Sequence, residues 1–506
     1  MHAEEPPVVA NRSLIFIACS LVLSYLFEYF FLWNVPGIAA VLFTGLIGIS
    51  LVTLTWLLKR NLSRDVVLLL ALALFFSGMV AIRANLLLAV LNILGTILLL
   101  LLITEISVRG SMKGFLPFDY LTVFGLPLIY LVSLVDTIIS IRLPFARPAS
   151  NTSKQIIRGV LITVPILILF AALFAGADPV FHTVVWNVLH LQLVSPQHPY
   201  LFTIVFAFMC GAFGYVFSKK PVAARVALAP KRPMGHIETS IILGSVNALF
   251  VIFIALQATY LFGGIINITN DTFTYAEYAR HGFFELIAIA ACTYLIMLVT
   301  EKLIERNAEQ HSKAFKYLST ALVLQVMVLM IFAFNRLSLY ETAFGFTTLR
   351  LYSHAFILLL AVVYVCLLYK IFVDTRESAF ALRVFCAVVF FVAAMNLFNP
   401  DAFIAQKNLE RFNATGKIDL DYLAGLSSDA TPGLLTIFEQ TDPSQRAPLG
   451  FALYQRSLKA PEAWQSWNLS REREAQALKS YQAELTAYSG YGGTQIDSEN
   501  PETPAE

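Results

Sequence analysis

Charge is what this sequence has least of. Only 13% of its 506 residues are Asp, Glu, Lys or Arg, about half the ~25% of an ordinary soluble domain. Hydrophobic residues make up 58% and the mean hydropathy is +0.71. So few charges cannot cover a folded surface in water, which excludes a soluble globular protein and leaves an integral membrane protein. Positive excess is missing too: a formal net charge of +2 offers no basic footprint for a phosphate backbone, which excludes a nucleic-acid binder. The five cysteines, Cys19, Cys210, Cys292, Cys366 and Cys386, lie inside apolar runs without CxxC spacing. Neither a disulfide framework nor a thiolate metal site is expected. No phosphate loop, GxSxG elbow or HExxH pair stands in a supporting context, and no repeat of solenoid period is found. The sequence therefore implies no cofactor and no metal, and no motif names a reaction.

Long apolar runs are present instead. Crossing a hydrocarbon core takes about 20 mainly apolar residues as helix, and only helices satisfy their own backbone there from such runs. Candidate spans run over 14–33, 37–58, 66–82, 86–106, 120–141, 157–176, 200–217, 241–262, 283–300, 317–334, 355–371 and 379–397. The expected fold class is all-α, a polytopic transmembrane bundle with about 11 to 13 crossings. Residues 1–13 read as a cytoplasmic stub, 14–398 as the bundle, 399–488 as a small all-helical soluble module and 489–506 as a disordered tail. The N-terminal residues lack a basic start and a cleavage site, so the first run is expected to stay as a signal anchor.

Cations near span ends set orientation. They cluster at Arg142, Arg147, Lys154 and Arg158, at Lys219, Lys220, Arg225, Lys231 and Arg232, and at Lys302, Arg306, Lys313 and Lys316. Those loops should face the cytoplasm, and the cation-poor stretches between them should face outward. In the first half Lys59, Arg60 and Arg64, then Arg109 and Lys113, also point inward, which conflicts with the basic loop after 120–141. That segment, with Gly125, Pro127 and Asp136, is therefore expected to be interfacial, re-entrant or broken. The count of crossings becomes odd, and the tail after Leu397 falls outside. In the tail, Thr431-Pro432 and Ser470 with Glu472 read as helix starts, and Trp464 and Trp467 as its candidate partner contacts.

Three blocks carry the polar residues that could form a site. At 335–350, Asn335, Arg336, Tyr340 and Glu341 approach one another on helical spacing, and Arg350 opens the next apolar segment. An unpaired guanidinium there would cost several kcal/mol, and Glu341 is the nearest candidate partner. Two readings are open: a structural ion pair stitching two helix ends, or an anion or headgroup clamp. At 275–286, Glu277, His281 and Glu285 form one helical stripe with Arg280 beside Glu277. A metal needs three or four converging ligands and commonly a second such helix, which is lacking, so Glu285 as an intramembrane carboxylate is the better candidate. At 177–182, Asp178 beside Pro179 reads as a cap or turn at a span boundary.

The same blocks carry a resemblance. Ala177-Asp178-Pro179-Val180-Phe181, Glu277-Tyr278-Ala279-Arg280 with Gly282-Phe283 and Glu285, and the block at 335–350 resemble a bacterial family of polytopic inner-membrane proteins of unknown function, DUF4173, related to DUF4153. The likeness covers most of the chain and continues through Asn399-Pro400-Asp401, Asn408, Asp421-Tyr422-Leu423, Leu426 to Ala430 with Pro432, and Trp467-Asn468. It implies a bacterial envelope protein and brings no activity, substrate or cofactor.

Combined with sidedness, these residues define a candidate outward polar site of Glu277, Arg280, Glu285, Arg336, Tyr340, Glu341 and Arg350, with Asp178 and Asn335 as secondary members. The leading reading is a non-enzymatic envelope scaffold or sensor. Its partners are the bilayer and another envelope membrane protein bound through the C-terminal module. A transporter or carrier of a small or lipid-linked substrate, and a membrane-embedded lipid or glycan transferase, are the alternatives.

Overall fold

A computed structural model describes residues 12–139, 197–218, 236–262, 283–303, 309–460 and 462–491. Among them there is no strand. The helices are α1 (Arg12–Phe31), α2 (Ile38–Leu57), α3 (Arg64–Ile82), α4 (Leu86–Arg109), α5 (Pro117–Thr122), α6 (Leu126–Ile139) and α7 (Gln197–Ser218). They continue with α8 (His236–Phe262), α9 (Phe283–Leu303), α10 (Glu309–Phe344), α11 (Thr348–Phe372) and α12 (Glu377–Phe398). Five shorter ones follow: α13 (Pro400–Thr415), α14 (Leu420–Ala424), α15 (Thr431–Gln440), α16 (Ala447–Ser457) and α17 (Leu469–Leu485). The fold is a membrane helical bundle: among the described residues nine helices are long and apolar enough to cross, with two shorter apolar helices at Leu201–Phe217 and Ala288–Thr300. The expected span at 157–176 lies outside the described residues.

The chain divides into two compact units. The first comprises Met1–Arg83, Ala89–Ala224 and Pro461–Leu469. Its helix ends have local causes. Ser63 caps α3, its Oγ accepting from the Val66 N–H at 3.3 Å, and α4 stops at Gly110, whose φ of +93° suits glycine. Asp65 at the start of α3 accepts from the Ser111 hydroxyl and the Met112 N–H at 3.0 and 2.9 Å, which fastens the end of α4 to the beginning of α3. At the other end, the Ile38 N–H donates to the Trp467 carbonyl at 2.9 Å, and the Asn468 amide donates to the carbonyls of Val80 and Arg83, both at 2.9 Å. Residues 462–469 thus close over the turns that end α1 and α3. Gly37 is required there because a Cβ would strike the backbone of Ser466 and Trp467. The ambiguous segment counts among the nine as one apolar stretch, Pro117–Ile138, in which a 3-10 turn at Val123–Gly125 joins α5 to α6. Small residues let α7 approach α6, where a Cβ at Gly211 would strike the Tyr130 backbone.

The second unit comprises Ala84–Leu88, Arg225–Ala460 and Ser470–Glu506. One core gathers Leu243, Ala290, Leu322, Val326, Tyr364 and Phe380 from α8 to α12. Within it the Tyr364 hydroxyl donates to the Ala290 carbonyl at 2.6 Å, and the Asn247 amide reaches from α8 to the Leu318 carbonyl on α10 at 3.1 Å. A separate core gathers Ile404, Leu434, Phe438, Leu449, Leu453 and Leu478 from α13 to α17. Asn399 joins α12 to α13: at φ 57° it ends one helix, its Oδ1 caps the next at the Ala402 N–H, and Pro400 occupies the first turn where no N–H is needed. Two expected helix starts lie within a residue of the observed ones, at Thr431 and Leu469. Thr431 is already inside α15, its hydroxyl donating to Glu474 at 2.8 Å rather than capping. Ser470 lies within α17 and gives its hydroxyl to Asp429. In each case the hydroxyl donates to a buried carboxylate.

Candidate functional site

Glu277, Arg280 and Asp178 fall outside the described residues, and of Glu285 only its place in α9 is described. The structure therefore builds the site at 335–350. Helix α10 continues to Phe344, ten residues past the expected end of the span, so Asn335, Arg336, Tyr340 and Glu341 share one continuous helix. Asn335 is exposed, whereas Arg336 and Glu341 are buried at 6% and 5% exposure. Gly345, at φ +84°, turns the chain into α11.

That left-handed turn decides the pairing. Arg350 does not meet Glu341. Its guanidinium lies over the Tyr340 ring, 4.0 Å from the centroid, and donates to the Gly345 carbonyl. Glu341 instead faces His354, a residue the sequence reading passed over, with Oε1 3.2 Å from Nδ1. His354 Nε2 lies 3.2 Å from both the Phe334 carbonyl and the Ser338 hydroxyl. A carbonyl only accepts, so Nε2 carries hydrogen. The only early signal for His354 was an imidazole inside an apolar run.

The turn is gripped from α13 and α14. Asn408 Oδ1 accepts from the Phe346 N–H at 3.1 Å and its amide returns a bond to the Phe346 carbonyl at 2.9 Å. Arg411 donates to the Ala343 carbonyl at 2.7 Å, and Tyr422 accepts from the Thr348 N–H at 2.6 Å. Gly345→Ala is expected to destabilise by about 1–3 kcal/mol, because a Cβ meets an unfavourable φ and also strikes Asn408 Oδ1. Thermal unfolding of the solubilised chain measures it; an unchanged midpoint would remove Asn408 as the clamp.

Two buried carboxylates hold the Ala84–Leu88 segment of this unit. Asp429, 6% exposed, accepts from the N–H groups of Ala84 and Asn85 at 2.8 and 3.0 Å. Asp401, 2% exposed, accepts from the Asn85 amide at 2.9 Å and the Ser427 N–H at 3.1 Å. Glu474 accepts from Ser428, Thr431 and Arg456 at 2.6, 2.8 and 3.2 Å. The distinctive residues of the C-terminal motifs are thus acceptors and donors of an internal framework. Trp464 and Trp467 are exposed, at 51% and 38%; Trp464 also meets Tyr29 and Phe30 in tilted and edge contacts, with centroids 6.3 and 5.9 Å away, and the Trp467 carbonyl accepts from Ile38.

A second polar cluster, in the first unit, was not assembled from sequence. Glu105 on α4 accepts from Arg109 Nε at 2.6 Å and from the Tyr215 hydroxyl of α7 at 2.6 Å. Arg109 also reaches Asp119 at 3.1 Å and lies 4.9 Å from the Phe115 ring centroid. Asp119 in turn accepts from the Leu116 N–H at 2.8 Å, holding the start of α5. The i,i+4 spacing of Glu105 and Arg109 was readable; Asp119 and Tyr215 arrive through tertiary folding. Among the described residues no group of His, Cys, Asp or Glu is arranged to hold a metal.

No curated protein and no solved structure matches this chain. Residues 66–437 match the family described as a domain of unknown function (DUF4153), and the chain belongs to that family.

Proposed function

We propose that this DUF4153 protein is a non-enzymatic scaffold or sensor of the bacterial inner membrane, which displays its C-terminal helices on the extracytoplasmic face for another envelope protein. The observation that carries the reading is the use of Asp401, Asp429 and Glu474: each is buried and engaged by internal donors, which suits a rigid platform better than a reacting site. Sidedness has its own support within the first unit. Lys59, Arg60, Arg64, Arg109 and Lys113 gather at the end where α3 begins and α4 finishes, and residues 462–469 attach at the opposite end. Under the positive-inside rule the cationic end is cytoplasmic. The further likeness to DUF4173 rests on the motif residues and carries the bacterial envelope assignment with it.

The test uses the full chain in cells. A phosphatase fused at the C-terminus should be active, and photo-crosslinkers at exposed Glu410, Glu439 and Lys479 should yield a discrete adduct with one membrane protein. An inactive phosphatase beside a fluorescent cytoplasmic reporter would overturn the orientation. Crosslinks to lipid alone at all three positions would overturn the scaffold.

A further inference from the structure

The first unit contains an apolar cavity that the scaffold reading does not use. It holds about 410 Å³ between α2, α3, α4, α6 and α7, with walls from Gly48, Leu70, Leu100, Pro127, Met209 and Phe213. Its polar groups are the Thr104 and Tyr130 hydroxyls, which satisfy each other by a hydrogen bond. Ile97 lines it and is 48% exposed, which puts one wall of the cavity at the apolar outer face of α4. Its size falls within the ~300–1,000 Å³ of small-molecule sites.

Next to it, across Val216, lies a smaller cavity of about 60 Å³ lined by Arg60, Asn61, Ser63, Ser107 and Gly110. That volume exceeds the ~10–15 Å³ needed to admit a single water-sized group. Arg60 is fixed at this mouth: its guanidinium donates to the Val216 and Phe217 carbonyls at 2.8 and 2.9 Å and lies 5.8 Å from the Phe217 ring centroid. Burial and the nearby Arg12 guanidinium push Arg60 below the ordinary arginine value. Arg60 is itself exposed, as are Lys59 and Arg64 on the same turn, and the adjacent Asp65 is occupied by Ser111 and Met112. Among the described residues Arg60 has no carboxylate partner.

We propose that these two cavities form one site for an anionic diacyl phospholipid, an acyl chain lying in the larger and the phosphate at Arg60 in the smaller. Each part explains a different property. An acyl chain entering from the bilayer gains no dehydration energy, but it restores dispersion contacts that an empty cavity loses. Selectivity therefore comes from the headgroup, where cations without a carboxylate favour an anion and a guanidinium suits phosphate geometry. The site is independent of any protein partner for the C-terminal helices.

The full chain in nanodiscs, with phosphatidylglycerol or phosphatidylcholine carrying a photoreactive diazirine on one acyl chain, tests this. Peptides spanning 97–104 and 208–216 should be labelled about fivefold more by the phosphatidylglycerol probe, the effect of one cation at an anionic headgroup. Arg60→Gln should reduce that labelling to near the phosphatidylcholine level, and should lower phosphatidylcholine labelling by a smaller factor, because that headgroup carries a phosphate beside a compensating cation. Equal labelling by the two probes in the native chain would overturn the proposal, whatever the variant does. So would label spread evenly over exposed positions such as Leu94, Leu128 and Val132, or full phosphatidylglycerol labelling in a folded Arg60→Gln chain.

Discussion

Arg109→Met is expected to destabilise the first unit by about 3–5 kcal/mol, the cost of leaving buried charge without its counterion. Glu105 and Asp119 are 8% and 6% exposed, and Arg109 is the cation that the structure places against both. Removing it leaves two carboxylates in a low-dielectric setting, and the Tyr215 hydroxyl and Leu116 N–H cannot neutralise them. Arg109→Lys should fall between, because an ammonium keeps the charge but loses the planar fork that reaches Glu105 through Nε and Asp119 through a terminal nitrogen. Glu105→Gln should cost least, since an amide oxygen still accepts from Tyr215. The decisive comparison adds Glu105→Gln and Asp119→Asn to Arg109→Met. Recovery of part of the stability in the triple variant, read from unfolding in mixed micelles, identifies stranded charge as the cause. No recovery would mean that Arg109 acts through its packing on Phe115 instead.

This cluster also shows what the sequence could and could not reveal. Spans were legible because the bilayer imposes a length, and a run of apolar residues has few other uses in a chain with so little charge. Helix ends were less so: α10 runs on through Asn335, Arg336 and Tyr340 because nothing in those residues breaks a helix, and the stop comes only at Gly345. Pairing across that turn was not legible. Glu341 and Arg350 are close in sequence, but the left-handed Gly345 sends Arg350 onto Tyr340 and brings His354 to Glu341. The helix starts at Thr431 and Ser470 were legible to within a residue, but the roles of their hydroxyls were not, since each donates to a buried carboxylate that only the tertiary fold supplies. The motif residues were visible as distinctive, but the reason for them was not, because Asp429 and Asn85 meet across 344 positions of chain.

Asp429→Ala is expected to loosen the C-terminal helices by on the order of 3–5 kcal/mol, from the loss of charge-assisted hydrogen bonds and the stranding of buried donors. One Oδ2 serves the N–H groups of both Ala84 and Asn85, while Oδ1 takes the Ser470 hydroxyl. Water reaches that place poorly, so the two amides would lose their acceptor without a substitute. Asp429→Asn should cost less, as its carbonyl oxygen can keep the amides and its amino group can face the serine oxygen. Limited proteolysis of membranes reads the effect directly: Asp429→Ala should open cleavage within 399–491 while α1 to α4 stay protected. Glu410→Ala, at an exposed pair with Lys407, should leave the pattern of the native chain. Cleavage spread equally over both units would show that Asp429 supports the whole fold, and unchanged cleavage would show that the hydrophobic core around Leu434 and Phe438 suffices to hold these helices. If only the C-terminal helices open, Asp429→Ala also separates membrane insertion from display. A cell that keeps normal amounts of the variant yet loses the crosslinked partner would then tie partner binding to this one carboxylate.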